Sequence, residues 1–338
     1  MTTATPSFIS QTSLDLSSIR NLVAEDLADV DSMIDVYYKS EAFLVNQIIE
    51  YFIYPSGKRV RPLALILMAH ALGFKGPAAH KLAAMIEFIH TATLLHDDVV
   101  DESELRRGQE TANKVWGNAA SVLTGDFMYS RVFQVIVDLE QVPLKDIFSA
   151  LANATNQMAE GEVMQLMQRY NSNIDEAAHL KVLQYKTGKL FQLATHIASI
   201  IAGADETVQQ AAIEYGLCIG IAFQLTDDVL DYCAGPEKTG KNIGDDLADG
   251  SPTMPLIHAF RNAEKEDRDV ILFALENGDI TKIAQIKAII DKNNSIEYTK
   301  NIARQHATKA IEALNVIPAS KYREGLIALA NFSINRDF

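Results

Sequence analysis

Apolar side chains recur every three or four residues along most of the chain, which is the spacing of one face of an α-helix. One such segment begins at Pro77, a residue type favoured in the first turn of a helix. The same spacing predicts long helices near residues 119–139, 144–170, 175–202 and 206–232. No segment alternates apolar and polar residues, and no glycine-rich turn joins a strand to a helix. Because several helices are apolar on more than one side, we expect an all-α bundle with a buried central layer.

Two loops interrupt the helical pattern, at residues 54–62 and 234–252. Both are short and adjoin long helices, so neither is typical of an interdomain linker. We therefore predict a single all-helical domain over residues 13–338. Residues 1–12 are rich in Thr, Ser and Pro and lack periodicity, which predicts a flexible N-terminal arm.

The overall charge and the cysteine content exclude several classes of partner. The 338 residues carry a formal net charge of −14, which disfavours nucleic acid and anionic membranes. Two cysteines exclude a disulfide framework and a cysteine-rich zinc site. No apolar h-region precedes Arg20, and no apolar stretch approaches the ~20 residues of a membrane span. We expect a soluble, cytoplasmic protein without an integral membrane segment.

A repeated carboxylate motif is the strongest chemical signal. Residues 95–101 and 225–231 agree at five of seven positions, and each contains Asp-Asp-x-x-Asp. On a helix the first and last Asp lie one turn apart on the same face, and the middle Asp is offset by about 100°. A single such motif is most often a solvated acidic face. Here both copies have apolar flanks, and clustered carboxylates in apolar surroundings need a cation. The two copies together therefore favour sites for hard divalent cations such as Mg²⁺.

Basic residues accompany the two carboxylate clusters. Arg and Lys bind phosphate groups well, so the combination indicates a site for two polyphosphate groups. Taken singly, each of these residues is a typical surface charge. His90 lies two turns before Asp97 on a similar face and can reach the same cavity, whereas His96 fits a histidine satisfied within its helix. The basic residues are Lys58, Arg59, Arg61, Arg106, Arg107, Lys186, Lys238 and Lys241.

Together these motifs resemble the trans-isoprenyl diphosphate synthase family over nearly the whole chain. The resemblance rests on the two Asp clusters in order, the loop at residues 57–62, Arg-Arg-Gly at 106–108, Lys-Thr at 186–187 and Phe-Gln at 223–224. The segments 91–98 and 240–247 are most similar to long-chain members of the octaprenyl diphosphate synthase type. The resemblance implies an all-α bundle around a deep central cavity and a homodimer. It also implies isopentenyl diphosphate and an allylic diphosphate as substrates, with about two to three Mg²⁺ ions.

The resemblance also implies roles for individual residues. The expected metal ligands are Asp97, Asp98, Asp101, Asp227 and Asp231, with Asp228 in support. The allylic diphosphate is expected to bind Arg106, Lys186 and Lys241. Isopentenyl diphosphate is expected to bind Lys58, Arg61, His90 and Arg107. Thr187 and Gln224 are expected to line the reacting centre.

The implied reaction is a repeated condensation. Metal ions and cationic side chains stabilise the departing diphosphate, and an allylic carbocation is left behind. The double bond of isopentenyl diphosphate attacks this cation, and a proton is then lost to the released diphosphate. The loop at residues 235–251 is expected to close over the site and exclude water.

Small residues before the first Asp cluster predict a long product. Short-chain relatives carry a bulky aromatic residue four or five positions before the first Asp, whereas this chain has Thr93 and Ala92. Ile89 is expected to lie one turn deeper, and Phe133 is expected to form the floor of the pocket. These residues favour an octaprenyl (C40) product for a quinone side chain, with nonaprenyl (C45) or a shorter product as alternatives.

Two departures from the family pattern concern single cationic contacts. Asp245 and Ser251 stand where many relatives have Lys. A terpene cyclase is a weaker alternative, because cyclases mix Asn, Ser or Thr and Glu in their second metal motif. A silent partner subunit is also weaker, since such subunits are expected to lose Asp or Arg ligands and this chain has lost none.

Overall fold

The structure of the protein, a computed structural model, describes residues 15–53, 58–106, 108–171, 175–233 and 244–336. The expected N-terminal arm and parts of both predicted loops lie outside these residues. The extent of the single domain and of the arm therefore stays a prediction.

The described residues of the first half of the chain form eight helices and one very short hairpin. Their bounds are α1 Leu16–Asn21, α2 Ala24–Tyr37, α3 Phe43–Ile53, α4 Val60–Ala71, α5 Pro77–Val100, β1 Leu105–Arg106, β2 Gln109–Glu110, α6 Ala112–Trp116, α7 Asn118–Val137 and α8 Leu144–Gln168. The hairpin is antiparallel, with Leu105 opposite Glu110. The sequence pattern missed it, because two residues per strand are too few to show alternation.

The second half is helical throughout its described part. It contains α9 Glu176–Leu183, a π-helical turn Gln184–Gly188, α10 Lys189–Ile201, α11 Glu206–Cys233, α12 Asp245–Ala248, α13 Met254–Asn262, α14 Lys265–Asn277, α15 Ile283–Lys292, α16 Ser295–Ala313 and α17 Lys321–Asn335. Single 3₁₀ turns at Ile280–Lys282 and Leu314–Val316 join the last helices. The all-α class is confirmed.

The long predicted helices agree closely with α5, α7, α8 and α11. Pro77 is the first residue of α5, where its missing N–H has no helical partner to lose. Side chains also cap helices: Asp175 accepts from the backbone N–H of Ala178 at 3.1 Å. The helix predicted over 175–202 is divided, since the π-helical turn separates α9 from α10.

The central layer consists of α4, α5 and α10. Every residue of α4 except Arg61 is buried, and α10 is buried at all but two positions. A helix that is apolar on all sides is stable only when other helices surround it. This layer holds α5 in the middle of the bundle, so the first Asp cluster at its carboxyl end is held by the core.

Helices α5 and α7 run antiparallel, with a register defined at both ends. The Lys81 ammonium donates to the carbonyl of Asp138 at 2.8 Å, and His96 Nε2 donates to the carbonyl of Val122 at 3.1 Å. Gly125 lies so close to His96 that an added Cβ would be 2.3 Å from Nε2. This register relates depth along α7 to depth along α5. Within the described residues, no helix is long and apolar enough to cross a membrane.

Candidate active site

The first Asp cluster lies at the carboxyl end of α5. Asp97 and Asp98 occupy its last turn and Asp101 is its C-cap, whose N–H donates to the Asp97 carbonyl at 2.8 Å. Asp97 and Asp101 are partly exposed, as the four-residue spacing predicts. The middle residue, Asp98, is fully buried.

Asp98 binds Arg106 instead of facing the site. Arg106 donates to Asp98 Oδ1 from Nε at 2.9 Å and from Nη2 at 2.7 Å. This charge-assisted contact ties the hairpin to α5 and orients the Arg106 guanidinium. The expectation that Asp98 is a metal ligand is therefore revised, because its side chain has no exposed surface to offer a metal. Its role in this structure is to position Arg106.

Helix α8 and the π-helical turn supply cations to the other two carboxylates. Lys186 Nζ lies 3.7 Å from Asp97 Oδ2 and 2.8 Å from Glu162 Oε2, and it donates to Gln165 Oε1 at 2.6 Å. The Arg169 guanidinium is paired with Asp101. Both carboxylates on the exposed face of the cluster thus have a cationic partner within the protein.

Burial changes the ionisation of this group of side chains. Desolvation raises the pKa of Asp97 even though Lys186 acts in the opposite direction. Desolvation likewise raises the pKa of Glu162 to about 7. Burial lowers the pKa of Lys186, but Asp97 and Glu162 together outweigh it, so that the net shift is upward and the ammonium is retained. A charged Lys beside carboxylates that are costly to ionise is suited to receive a diphosphate.

Sequence reasoning missed the contribution of α8. Glu162, Gln165 and Arg169 are spaced at three and four residues and so form one polar stripe on a predicted helix. That stripe was a usable signal. It carried no motif of its own, however, and its proximity to Lys186 became evident only in the folded protein.

The π-helical turn joins the first cluster to the second. Its Lys186 faces Asp97, and the next residue, Thr187, donates from Oγ1 to Gln224 Oε1 at 3.0 Å on α11. Gly161 permits the close contact with α8, because an added Cβ would meet the Lys186 backbone nitrogen at 2.8 Å. Turns of this kind are frequent at functional sites, because the extra residue changes the direction of side chains. Thr187 and Gln224 are thus brought together as expected.

The second Asp cluster repeats the arrangement with different partners. Asp228 is buried, and its Oδ2 accepts from His179 Nε2 at 2.9 Å and from the backbone N–H of Met254 at 3.1 Å. Its expected supporting place is consistent with these contacts. Asp227 is 41% exposed and forms an ion pair with Arg336, with Oδ1 2.6 Å from Nη2. Asp231 lies one turn further along α11 and is partly exposed. The sequence offered no motif that identifies His179 or Arg336.

The donor set fits a divalent cation that is shared with a substrate. Asp97, Asp101, Asp227 and Asp231 offer carboxylate oxygens, the ligands that Mg²⁺ prefers. Among the described residues, no three His, Cys, Asp or Glu side chains form a complete metal site by themselves. Mg²⁺ is usually held by one or two carboxylates together with phosphate oxygens and water, so incomplete carboxylate pairs are what such a site requires.

A cationic group lies beside α5 on the side of α4. Arg61 Nη1 donates to His90 Nε2 at 3.1 Å, and the Arg61 guanidinium lies 4.6 Å from the centre of the Phe191 ring. The structure thus brings Arg61 and His90 together. The Lys58 carbonyl accepts from Arg20 at 2.7 Å. Arg107 and Lys241 lie outside the described residues.

The expected pocket residues separate into two groups. Ile89 and Ala92 are fully buried, and Thr93 is partly buried with its hydroxyl donating to the His90 carbonyl at 2.8 Å. Phe133 is 50% exposed and packs against Phe148, with ring centres 6.0 Å apart. The expectation of an interior floor at Phe133 is therefore wrong for the single chain.

The pairing of α5 with α7 defines the position of Phe133 along the bundle. By the register of α5 and α7 it lies opposite residue 86, about 16 Å along α5 from Asp97. The prediction failed in the direction of the Phe133 side chain, because two neighbouring residues of one helix point about 100° apart. Met128 and Val132, which are buried, occupy the inward face of α7 at these levels.

The two departures from the family pattern lie in and beside α12. Asp245 is the first residue of that helix. Ser251 is buried, and its N–H donates to the Asp246 carbonyl at 2.8 Å. Most of the loop expected to close over the site lies outside the described residues.

Comparison with known proteins identifies relatives along the whole chain. Residues 43–292 match the polyprenyl synthetase family. The chain is 44% identical over 326 residues to an octaprenyl diphosphate synthase of Haemophilus influenzae, covering 96% of this chain and 98% of that protein. It is 40% identical to an all-trans-nonaprenyl-diphosphate synthase of Rhodobacter capsulatus, covering 93% and 96%.

A solved structure supports the fold assignment. The crystal structure of a polyprenyl synthase from Caulobacter crescentus, in complex with calcium and isoprenyl diphosphate, matches with a TM-score of 0.92 and 36% identity, over 97% of this chain and all of that one. The family match covers both Asp clusters and most of the residues that contact them. This chain therefore belongs to the polyprenyl synthetase family, whose members are prenyltransferases.

Proposed function

We propose that this protein is a Mg²⁺-dependent prenyltransferase that adds isopentenyl diphosphate repeatedly to an allylic diphosphate such as farnesyl diphosphate. Its proposed product is all-trans octaprenyl diphosphate. The observation that carries the proposal is that one π-helical turn contacts both of the helices that bear the Asp clusters, with Lys186 beside Asp97 and Thr187 bonded to Gln224. The 44% identity to an octaprenyl diphosphate synthase supports the product.

The proposed role of each side chain follows from its contacts. Asp97 and Asp101 hold metal on one side of the allylic diphosphate, and Asp227 and Asp231 hold it on the other. When bound, the metal neutralises the charge that develops on the departing diphosphate. Lys186 and Arg106 donate to the diphosphate oxygens, with Lys241 assigned to the same group by resemblance. Glu162 and Gln165 orient the Lys186 ammonium, and Asp98 orients Arg106.

Isopentenyl diphosphate is proposed to bind on the side of α4. Arg61 and His90 already contact each other there, and Lys58 begins the same segment. Arg107 completes this group by resemblance. Thr187 and Gln224 line the space between the two substrates. No dedicated protein base is required, since the released diphosphate accepts the proton.

The test is an assay of the purified protein with farnesyl diphosphate, labelled isopentenyl diphosphate and Mg²⁺. We expect C40 as the main product after dephosphorylation and chromatography. Excess chelator should abolish incorporation, and added Mg²⁺ should restore it. Full activity in chelator would contradict the metal sites. A product with only one added unit would contradict a long-chain enzyme.

A nonaprenyl product is the second candidate, supported by the 40% identity to a nonaprenyl diphosphate synthase. The same chromatogram separates C40 from C45. A terpene cyclase would yield unphosphorylated hydrocarbons from farnesyl diphosphate alone, and a silent subunit would yield nothing.

The growing chain is proposed to run between α5 and α7. Thr93, Ala92 and Ile89 line one side of this path, and Met128 and Val132 line the other. Ala92→Tyr should shorten the product to about C15–C20, because a packed interior yields little to a large ring. Ala92→Ser is the matched control and should leave the length unchanged. An unchanged product from a folded Ala92→Tyr protein would place the path elsewhere.

We further propose a homodimer formed by the outer face of α7 and α8. Val137 is 78% exposed, and it lines two surface grooves, an apolar one with Phe148 and a mixed one with Phe133. Large apolar side chains that lie exposed together on one face favour an interface. Val137→Asp should give monomers in sedimentation analysis, whereas Val316→Asp on a remote exposed 3₁₀ turn should not.

A further inference from the structure

A cation from the carboxyl end of the last helix contacts the second Asp cluster. Arg336 is the C-cap of α17, and its side chain is only 4% exposed. Its Nη2 forms an ion pair with Asp227 Oδ1 at 2.6 Å and donates a hydrogen bond to the backbone carbonyl of Phe223 at 2.6 Å. Its guanidinium carbon lies 3.5 Å from the centre of the Phe223 ring.

The contact between Arg336 and Asp227 is less complete than the contact between Arg106 and Asp98. Arg106 donates hydrogen bonds to Asp98 from two nitrogens, and the Asp98 carboxylate is fully buried. Arg336 reaches Asp227 with one nitrogen, and its buried Nε has no hydrogen-bond partner. An unsatisfied buried donor costs free energy, so this pairing is weaker than a two-nitrogen contact.

Asp227 is also the most open of the ion-paired carboxylates in the two clusters. Its side chain is 41% exposed, against 13% for Asp97 and 21% for Asp101. A divalent cation can approach Asp227 from solvent, and it would then repel the guanidinium at the same oxygen. The remaining contacts of Arg336, to the Phe223 carbonyl and ring, do not depend on Asp227.

We propose that Arg336 is a positioning residue that competes with the metal for Asp227. In the metal-free protein it neutralises Asp227 and ties the end of α17 to α11. When a divalent cation binds at the second cluster, Asp227 exchanges the guanidinium for the metal, and the end of α17 is released from the carboxylate. Metal loading is thereby coupled to the position of the chain's last described residues. This inference rests on the proposed function, because it requires a metal at Asp227.

The first test measures the affinity for Mn²⁺ in the presence of inorganic diphosphate, by calorimetry. Arg336→Met keeps an apolar side chain over Phe223 and removes the competing charge. It should bind Mn²⁺ about fivefold more tightly than the natural protein, the low end of couplings between competing ligands. Arg336→Lys keeps a charge and should give a smaller change. Arg304→Met, at an exposed pair with Glu297, is the control and should give none.

The second test follows amide hydrogen exchange in the peptide that contains residues 326–336. In the natural protein, Mn²⁺ with diphosphate should speed exchange in the last turn of α17. Asp227→Asn should show the faster exchange without metal, since the carboxylate that holds Arg336 is lost. A purely structural role for Arg336 predicts unchanged or weaker metal affinity in Arg336→Met, and metal-independent exchange.

The outcomes separate this inference from the proposed function. If the natural protein binds Mn²⁺ and makes polyprenyl diphosphate, but Arg336→Met and Arg336→Lys bind Mn²⁺ no more tightly, the competition is wrong and the function stands. Unaltered exchange in Asp227→Asn would also overturn the competition. If Asp227→Asn changes neither metal affinity nor turnover, the metal site itself is wrong.

Discussion

The two Asp clusters have nearly the same sequence but are held in different ways. In the first, Asp97 contacts Lys186 of the π-helical turn, and Asp101 contacts Arg169, the C-cap of α8. In the second, Asp227 contacts a cation from the end of the chain. The first cluster is the more enclosed, and the second is the more open to solvent.

The two clusters also share one structural feature that their sequences do not indicate. The middle Asp of each is buried and binds a basic side chain, Arg106 in one case and His179 in the other. A repeated motif therefore divides into two outer residues that face the site and one that anchors the surroundings. The lesson is that the partners of a carboxylate, and not its motif, decide how rigidly it is held.

The largest expected effect comes from removing one outer carboxylate from each cluster. Asp97→Asn should lower kcat by about 10³-fold and Asp227→Asn by about 10²-fold, the range for lost transition-state charge stabilisation. Asp97 should matter more because it is the more enclosed. Asp146→Asn, on the exposed first turn of α8, should be neutral. Steady-state incorporation of isopentenyl diphosphate measures kcat for both variants. Equal losses of kcat would contradict the expected difference between the clusters.

The middle residues should affect stability in the same order. Asp98→Asn breaks a buried contact with Arg106 and should lower the free energy of unfolding by about 3 kcal/mol, the lower end for a broken buried pair, because Arg106 is partly solvated. Asp228→Asn should cost about 1–2 kcal/mol, as it weakens two hydrogen bonds. Urea unfolding of the metal-free proteins measures both losses. A larger loss for Asp228→Asn would reverse the comparison.

The bond between Thr187 and Gln224 should be needed for the clusters to act together. Thr187→Val keeps the shape and removes the donor, so we expect stability to fall by about 1 kcal/mol and kcat by about tenfold. Thr155→Val removes a hydroxyl that bonds only within α8 and is the control. Chemical unfolding and single-turnover rates test this; a normal rate would mean that the clusters act without this bond.

The smallest effect concerns the pH dependence of the metal-free protein. The unfolded chain loses the Glu162 proton near its ordinary pKa of 4.5, whereas the folded protein loses it only near a pKa of about 7. Between these values the folded state binds more protons, so this group makes stability fall as pH rises. Glu162→Gln should flatten the dependence of Tm on pH over this range. Glu160→Gln, exposed on the same helix, should not.

The sequence predicted most of the long helices because their apolar spacing is a local property. Pro77 and the run after Glu206 mark helix starts that the structure reproduces. The π-helical turn was not predictable in this way. Its position depends on Gly161 of a different helix, and periodicity along α9 and α10 contains no information on that contact.

Site residues were predicted where they belong to a recognisable sequence motif. They were missed where their role depends on partners that are distant along the chain. Asp97, Asp227, Lys186 and Thr187 were found because their spacing or resemblance is visible along the chain. Glu162, Arg169, His179 and Arg336 were missed because each belongs to another element. Phe133 was predicted to form an interior floor but is half exposed, since a change of one residue turns a helical side chain by about 100°.

By itself, the sequence determined an all-α chain with two carboxylate motifs and a set of basic residues of the types that bind phosphate. These properties follow from residue types and from spacings within single helices. Only the tertiary structure decided which carboxylates face the site, which are buried as anchors, and which cation neutralises each one. The physical reason is that ion pairing and desolvation depend on atoms within a few ångströms, and those atoms come from helices far apart along the chain.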